Sequence, residues 1–288
     1  MSNIDNIGWY PGHMAKAKRY IQANMSLVDM VIELRDCRIP ESSKNPNIQK
    51  VIGEKPKLIV LNKSSLADKT TTDKWISCLK EEHTNTVAVD CKSLQGFNTL
   101  IDLIPQMMSE KLEYFQRKGM YGRNLRAMVV GVTNVGKSTF FNTMSRTKKA
   151  KTENKPGLTR TTQWIKTPYG VELLDTPGLL WEKLENKHIA INLALTGAIR
   201  DEVIDILEIS WVLCEKLRDK YPELLAERYK LTDISGVGHE IFETIARKRG
   251  FLISGGGIDE ERCATMLLEE FRSGKIGRIS LETPEEIL

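Results

Sequence analysis

A chain of 288 residues, 41% hydrophobic and 28% charged, holds enough apolar material for one large core or two smaller ones, which argues against a disordered chain. Its five cysteines, odd in number and without CxxC spacing, argue against a disulfide framework or a zinc knuckle and for a reducing compartment. The net charge of +4 permits a nucleic-acid partner without demanding one; the sequence shows neither a charged-then-apolar leader nor an apolar run near the roughly 18 residues of a membrane span, so a cytoplasmic chain without a membrane partner is expected.

In chain order, short apolar runs at 28–34, 57–61, 86–89, 127–130 and 171–174 predict buried strands, and helical spacing appears at 71–82 and 97–115. Strands alternating with helices predict an α/β fold, a mostly parallel sheet with helices on both faces and ligands at the carboxyl ends of its strands. The pattern changes after residue 184. Ile199, Val203, Ile206, Leu213 and Leu217, then Ile241, Ile245, Met266, Leu267 and Phe271, recur at helical intervals. The expected division is a nucleotide-binding domain over 1–184 and an all-α domain over 185–288.

The segment GVTNVGKS at 131–138 fits the phosphate-loop pattern GxxxxGK[ST], with a predicted strand before it and a helix-compatible stretch after it. Backbone N–H groups of Thr133, Asn134, Val135 and Gly136, and of Lys137, Ser138 and Thr139 at a helix start, are candidates to surround phosphate oxygens. The Lys137 ammonium would neutralise phosphate charge and the Ser138 hydroxyl would ligate Mg²⁺. DTPG at 175–178 ends the next strand, placing Asp175 to hold Mg²⁺ and the Gly178 amide to meet a γ-phosphate. In the loop between them, Thr159 is the candidate to complete the Mg²⁺ shell, with Thr161 and Thr162 as rivals.

A guanine-reading NKxD motif is expected after another strand. NKHI at 186–189 follows no strand and has no acid. Upstream, the strand at 57–61 runs into NKSS, which makes Asn62, Lys63 and Ser65 the candidates. The strand at 86–89 runs into DCKS, similar to the SAK loop whose backbone N–H faces the guanine O6, with Cys91 and Lys92 as its candidates. Base motifs thus precede phosphate motifs: the order is circularly permuted. Ser65 stands where the motif has its acid, and a serine oxygen accepts weaker, uncharged bonds; either guanine preference is reduced or Asp68 substitutes.

These motifs, with WYPGHMAKAKR at 9–19 and DCRIP at 36–40, resemble the circularly permuted GTPases, most closely the ribosome biogenesis GTPase A family of bacteria. The resemblance covers nearly the whole chain. It implies binding and hydrolysis of GTP to GDP, a role late in assembly of the large ribosomal subunit, and contact of the helical domain with rRNA. Leu179 and Leu180 stand where Ras-type enzymes carry a water-orienting glutamine, so that duty is expected to fall on His13, which the family implicates in hydrolysis. Related potassium-activated enzymes use an asparagine at the position of Asn134, implying K⁺ as an activating ion. Basic clusters at Lys16, Lys18 and Arg19, at Arg117, Lys118 and Arg123, at Lys148, Lys149 and Lys151, and at Arg247, Lys248 and Arg249 suit RNA phosphates. A monomer with no DNA partner is expected. Two alternatives stay open: an NTPase of relaxed base specificity, and a nucleotide-gated RNA-binding module with negligible turnover.

Overall fold

The five apolar runs before residue 176, with one further short strand, assemble into one six-stranded sheet. A computed structural model of the chain describes residues 19–46, 51–146, 164–176, 178 and 186–287. The strands are β1 (Met30–Asp36), β2 (Lys57–Asn62), β3 (Thr84–Ala88), β4 (Leu125–Gly131), β5 (Trp164–Lys166) and β6 (Val171–Asp175). Their order is β3-β2-β1-β4-β6-β5, and every neighbouring pair is parallel except the antiparallel β5–β6. Both β1 and β2 are buried along their whole length, as a parallel sheet covered on both faces requires. An apolar cluster with Val31, Met128, Val130 and Leu174 is separate from another with Ile59, Leu61 and Trp75. The sheet also buries an ion pair, Arg35 to Glu33 at 3.0 Å.

Helices accompanying these strands include α1 (Lys69–Cys78), α2 (Phe97–Met107), α3 (Ser109–Arg117) and α4 (Lys137–Ser145). The carboxylate of Asp68 caps α1 by accepting the Thr71 N–H at 2.7 Å, so this helix starts earlier than the spacing at 71–82 indicates. The expected helix at 97–115 is two helices. Met108 leaves helical geometry between α2 and α3, three residues after Pro105, which has no N–H to give to the last turn of α2.

The chain divides into two compact units, and 282–287 group with the sheet rather than with the helices that precede them. The expected helical domain at 185–288 therefore runs too far at its C-terminal end. The reason is chemical. The buried Glu282 carboxylate accepts the backbone N–H of Glu41 (2.8 Å) and of Ser42 (3.1 Å), and also the Ser42 hydroxyl. Trp75 Nε1 donates to the Glu282 carbonyl at 3.1 Å, and a final turn, α10 (Pro284–Ile287), packs on α1.

The other unit is helical: α5 (Lys187–Leu195), α6 (Ile206–Lys220), α7 (Pro222–Tyr229), α8 (Gly238–Lys248) and α9 (Glu260–Ser273). The central helix α6 packs against α5, α7, α8 and α9. Leu213, Leu217, Ile241, Ile245, Leu267 and Phe271 are buried as their spacing indicates, whereas Val203 is 52% exposed. It lies in a separate 3-10 turn, Asp201–Val203, outside the α6 face. A buried carboxylate ties three helices together. Glu270 of α9 accepts Arg228 Nε (2.9 Å) and the Tyr229 hydroxyl (3.0 Å) from α7, with Arg249, just after α8, at 3.5 Å.

Burial pushes the Glu270 carboxyl up, but the hydrogen bonds and charges of its partners outweigh this and set its pKa below the ordinary 4.5. A carboxyl lowered by folding stabilises the native state above its unfolded pKa, and this contribution is lost as pH falls through the folded value. Glu270→Gln is expected to destabilise the helical unit by about 2 kcal/mol at pH 7, with the difference shrinking below pH 4.5. Amide exchange across α9 at pH 7 and pH 3 measures this; a difference independent of pH would contradict it.

Candidate nucleotide site

Because five of the six strands run parallel, their carboxyl ends meet at one edge of the sheet. Asp36 of β1 is in register with Asn62 of β2, Leu34 with Gly131 of β4, and Val129 with Asp175 of β6. All the described motif residues flagged in the sequence belong to this edge or to the loops that leave it.

The phosphate loop runs from the end of β4 into α4, so its backbone N–H groups gather at the positive end of a helix. Asn134 (φ 55°) and Gly136 (φ 102°) both adopt the left-handed conformation that folds the loop back. Gly136 also has no room for a side chain, since a Cβ there would lie 2.3 Å from Asn62 Nδ2. Val135 is buried, Thr133 and Thr139 are half-buried, and Ser138 is exposed. Lys137 Nζ donates to the Gly131 and Val132 carbonyls, both at 2.9 Å. Burial lowers its pKa to about 8, against the opposing pull of Asp175. The Asp175 carboxyl is shifted upward by desolvation, which Lys137 and the Thr176 N–H only partly offset. The DTPG turn is held to the phosphate loop's own strand, since Thr176 Oγ1 donates to the Val129 carbonyl at 2.7 Å. Gly178 approaches so closely that a Cβ would sit 3.1 Å from Lys137 Nζ and 3.2 Å from Thr133 Cγ2.

The base-reading loop is joined to the phosphate loop by side chains. Asn62 Nδ2 donates to the Val135 carbonyl (2.9 Å), and Asn62 Oδ1 accepts the Cys91 N–H (3.3 Å). Lys63, itself left-handed (φ 62°), donates to the Asn134 carbonyl at 2.8 Å and pairs with Asp36 at 2.9 Å. Asp36 is also gripped by Arg38, whose Nε and Nη2 donate at 3.0 and 2.8 Å. Burial raises the Asp36 carboxyl, but the charges of Arg38 and Lys63 hold it far below the usual carboxylate range. The same burial lowers the Lys63 pKa against the pull of Asp36. The DCRIP element thus anchors the lysine of NKSS, a role its sequence alone does not reveal.

At the base loop, Asp68, Cys91 and Ser65 each have a defined hydrogen-bond partner. Asp68, the candidate substitute for the missing acid, caps α1 through one carboxylate oxygen, Oδ1. The Cys91 N–H, in the loop expected to face the guanine O6, donates to Asn62 Oδ1. Ser65 does not stand alone at the acid's position: its Oγ donates to a carboxylate, that of Asp90, at the first position of the SAK-like loop. Asp90 also accepts the backbone N–H of Lys92 (2.8 Å) and Ser93 (2.9 Å). Burial pushes Cys91 up to about 12, which keeps its thiol protonated, and Thr143 of α4 fixes that loop by donating to the Cys91 carbonyl at 3.1 Å. Asn186, at the head of the acid-less NKHI, caps α5 through the N–H groups of His188 and Ile189.

His13, Thr159, Thr161, Thr162, Leu179 and Leu180 lie outside the described residues, as do Lys16, Lys18, Lys148, Lys149 and Lys151. Of the other basic clusters, Arg117, Lys118 and Arg123 are exposed beside Tyr121, which is 83% exposed. Arg249 faces inward to Glu270.

Gly136→Ala places a methyl group on Asn62 and strains a positive φ, so GDP affinity is expected to fall about 10- to 100-fold. Calorimetric titration measures it; affinity equal to that of the unaltered chain would contradict the packing described here.

Comparison with known proteins agrees with this geometry. The family described as "50S ribosome-binding GTPase" matches residues 126–231, a span that holds the phosphate loop and β6 and continues into the helical unit, leaving Asn62 and Cys91 upstream of the match. Ribosome biogenesis GTPase A of Bacillus cereus is 41% identical, covering 97% of this chain and 95% of that protein. The Thermotoga maritima protein of the same name is 32% identical over 98% and 96%. Among solved structures, GNP-bound YlqF from T. maritima superposes with a TM-score of 0.63 at 30% identity, covering 94% of this chain and 99% of that one. With its motifs permuted, its loops at one sheet edge and its similarity running end to end, the chain belongs to the ribosome biogenesis GTPase A family.

Proposed function

We propose that this GTPase acts in late maturation of the large ribosomal subunit, binding it in one nucleotide state and leaving it in the other. The observation that carries the reading is the meeting of base and phosphate loops at one sheet edge, in a chain similar over its full length to proteins named for ribosome biogenesis. The mouse protein named mitochondrial ribosome-associated GTPase 1 is also similar, at 31% identity over 95% of this chain. The exposed Arg117, Lys118, Arg123 and Tyr121 offer cations and an aromatic face of the kind that binds RNA. In this reading the protein is cytoplasmic and monomeric, and its partner is rRNA within the subunit.

Hard oxygen donors suit Mg²⁺, and the Ser138 hydroxyl and Asp175 carboxylate supply them at the phosphate loop and at the end of β6. Those two residues, with Thr159, are the proposed Mg²⁺ ligands, and the ion's charge would stabilise the phosphate oxygens. Asn134, at the exposed left-handed corner of the loop, is the proposed K⁺ contact. Lys137 binds phosphate oxygens, the N-terminus of α4 orients them, and His13 positions the attacking water. The Ser65 substitution favours a second reading, an NTPase of relaxed base specificity; competition between GTP and ATP separates the two.

GTP turnover in KCl is expected to rise at least about tenfold when purified large subunits are added, and to be slower in matched NaCl. His13→Ala is expected to keep GDP affinity while lowering turnover about 100-fold. Turnover indifferent to subunits would contradict the assembly role, equal rates in the two salts the K⁺ contact, and unchanged turnover in the His13 variant its catalytic place.

A further inference from the structure

Guanine differs from adenine on the edge that carries N1. Guanine presents two donors there, N1–H and the N2 amino group, whereas adenine presents an acceptor at N1. A guanine-binding site therefore needs acceptors on that edge, and a carboxylate is the strongest. The fourth residue of NKxD supplies it in the motif; in this chain that residue is Ser65.

Three carboxylates accompany the base-reading loops. Asp36 is neutralised by Arg38 and Lys63. Asp68 caps α1. Asp90 differs from both: it is buried at 5% exposure, follows the strand beside NKSS, and touches no cation among its described hydrogen bonds. The N–H groups of Lys92 and Ser93 fix its Oδ1, while Oδ2 receives the Ser65 hydroxyl. Asp90 occupies the place of the serine in the SAK-like loop, and Ser65 the place of the acid in NKxD. The two residue types have changed places across one hydrogen bond.

We propose that Asp90 is the guanine-reading acid of this chain, and that the Ser65–Asp90 pair together accepts the N1–H and N2–H₂ donors. The assignment rests on the guanine-nucleotide reading of this edge. A carboxylate oxygen that accepts one hydrogen bond has lone-pair capacity for another. Serine, by donating to the carboxylate, becomes a more polarised acceptor itself. Two acceptors thus stand where the motif offers two oxygens of one carboxylate. Neighbouring contacts hold the pair in place, since Asn62 ties the Cys91 N–H next to Asp90 to the Val135 carbonyl of the phosphate loop. Burial pushes the Asp90 carboxyl up, but the Ser65 hydroxyl and the two backbone N–H groups bring it below its ordinary value, so it stays ionised near neutral pH. An adenine in the same pose would set its N1 lone pair against this charge, which supplies discrimination by repulsion.

The test compares GDP, ADP and xanthosine diphosphate binding to the full chain and to Asp90→Ser, Asp90→Asn and the exchange variant Ser65→Asp/Asp90→Ser. Asp90→Ser is expected to lose about 10- to 100-fold in GDP affinity. Asp90→Asn is expected to shift preference toward xanthosine diphosphate, because an amide N–H meets the carbonyl that xanthine carries at C2. The exchange variant, which restores the acid to the motif position, is expected to recover GDP affinity to within about threefold. The xanthine gain supports the assignment, since a purely structural role for Asp90 does not produce it, and recovery in the exchange variant without that gain would overturn the assignment. Unchanged GDP affinity in the single variants would overturn it, as would a loss accompanied by neither gain. Equal GDP and ADP affinity in the unaltered chain would instead overturn the guanine reading itself, and the assignment of Asp90 with it.

Discussion

The side-chain amide of Asn62 is the contact on which the rest of the site depends. Its two ends reach two different loops, the nitrogen to the Val135 carbonyl and the oxygen to the Cys91 N–H. A buried amide with both ends satisfied has one orientation, so it sets the spacing between the loop that reads a base and the loop that holds phosphates. The packing of Gly136 directly on Asn62 Nδ2 shows how little slack the contact has. Lys63 adds a second tie through the Asn134 carbonyl, and Asp36 with Arg38 fixes Lys63 in turn. The chain therefore uses its first strand, which carries no phosphate or base motif, as the foundation for both.

Permutation follows from this arrangement without strain. A parallel sheet places the carboxyl ends of β1, β2, β3, β4 and β6 along one edge whatever the order in which the chain visits them. Base motifs on β2 and β3 and phosphate motifs on β4 and β6 meet there with the base motifs first in sequence. The helical unit comes after β6 in the chain, which then rejoins the sheet unit at Glu282, whose buried carboxylate closes the loop after β1.

Much of this is legible in the sequence. Apolar runs between turn signals mark five of the six strands, and the phosphate loop declares itself by pattern and context. β5 escapes because three partly exposed residues at a sheet edge carry too little periodicity to register. The break at Met108 escapes because spacing on both sides of Pro105 continues the same apolar face. Glu282 reads as part of the helical domain because nothing local distinguishes a carboxylate that caps a distant loop from one facing solvent. Asp90 is visible as the first residue of a SAK-like loop, yet only its hydrogen bond with Ser65 gives its charge a meaning, since pairing across strands is not written in either loop alone. Except at β5, the missing information is a contact or a change of direction that no local pattern encodes.

The most direct test of the account is amide hydrogen exchange in Asn62→Ala. If one side chain couples the two loops, exchange should quicken together at the Cys91 amide and across the phosphate-loop amides from Thr133 to Lys137. Faster exchange confined to Cys91, with the phosphate loop as protected as before, would contradict the coupling and leave the two loops as independent neighbours on one sheet edge.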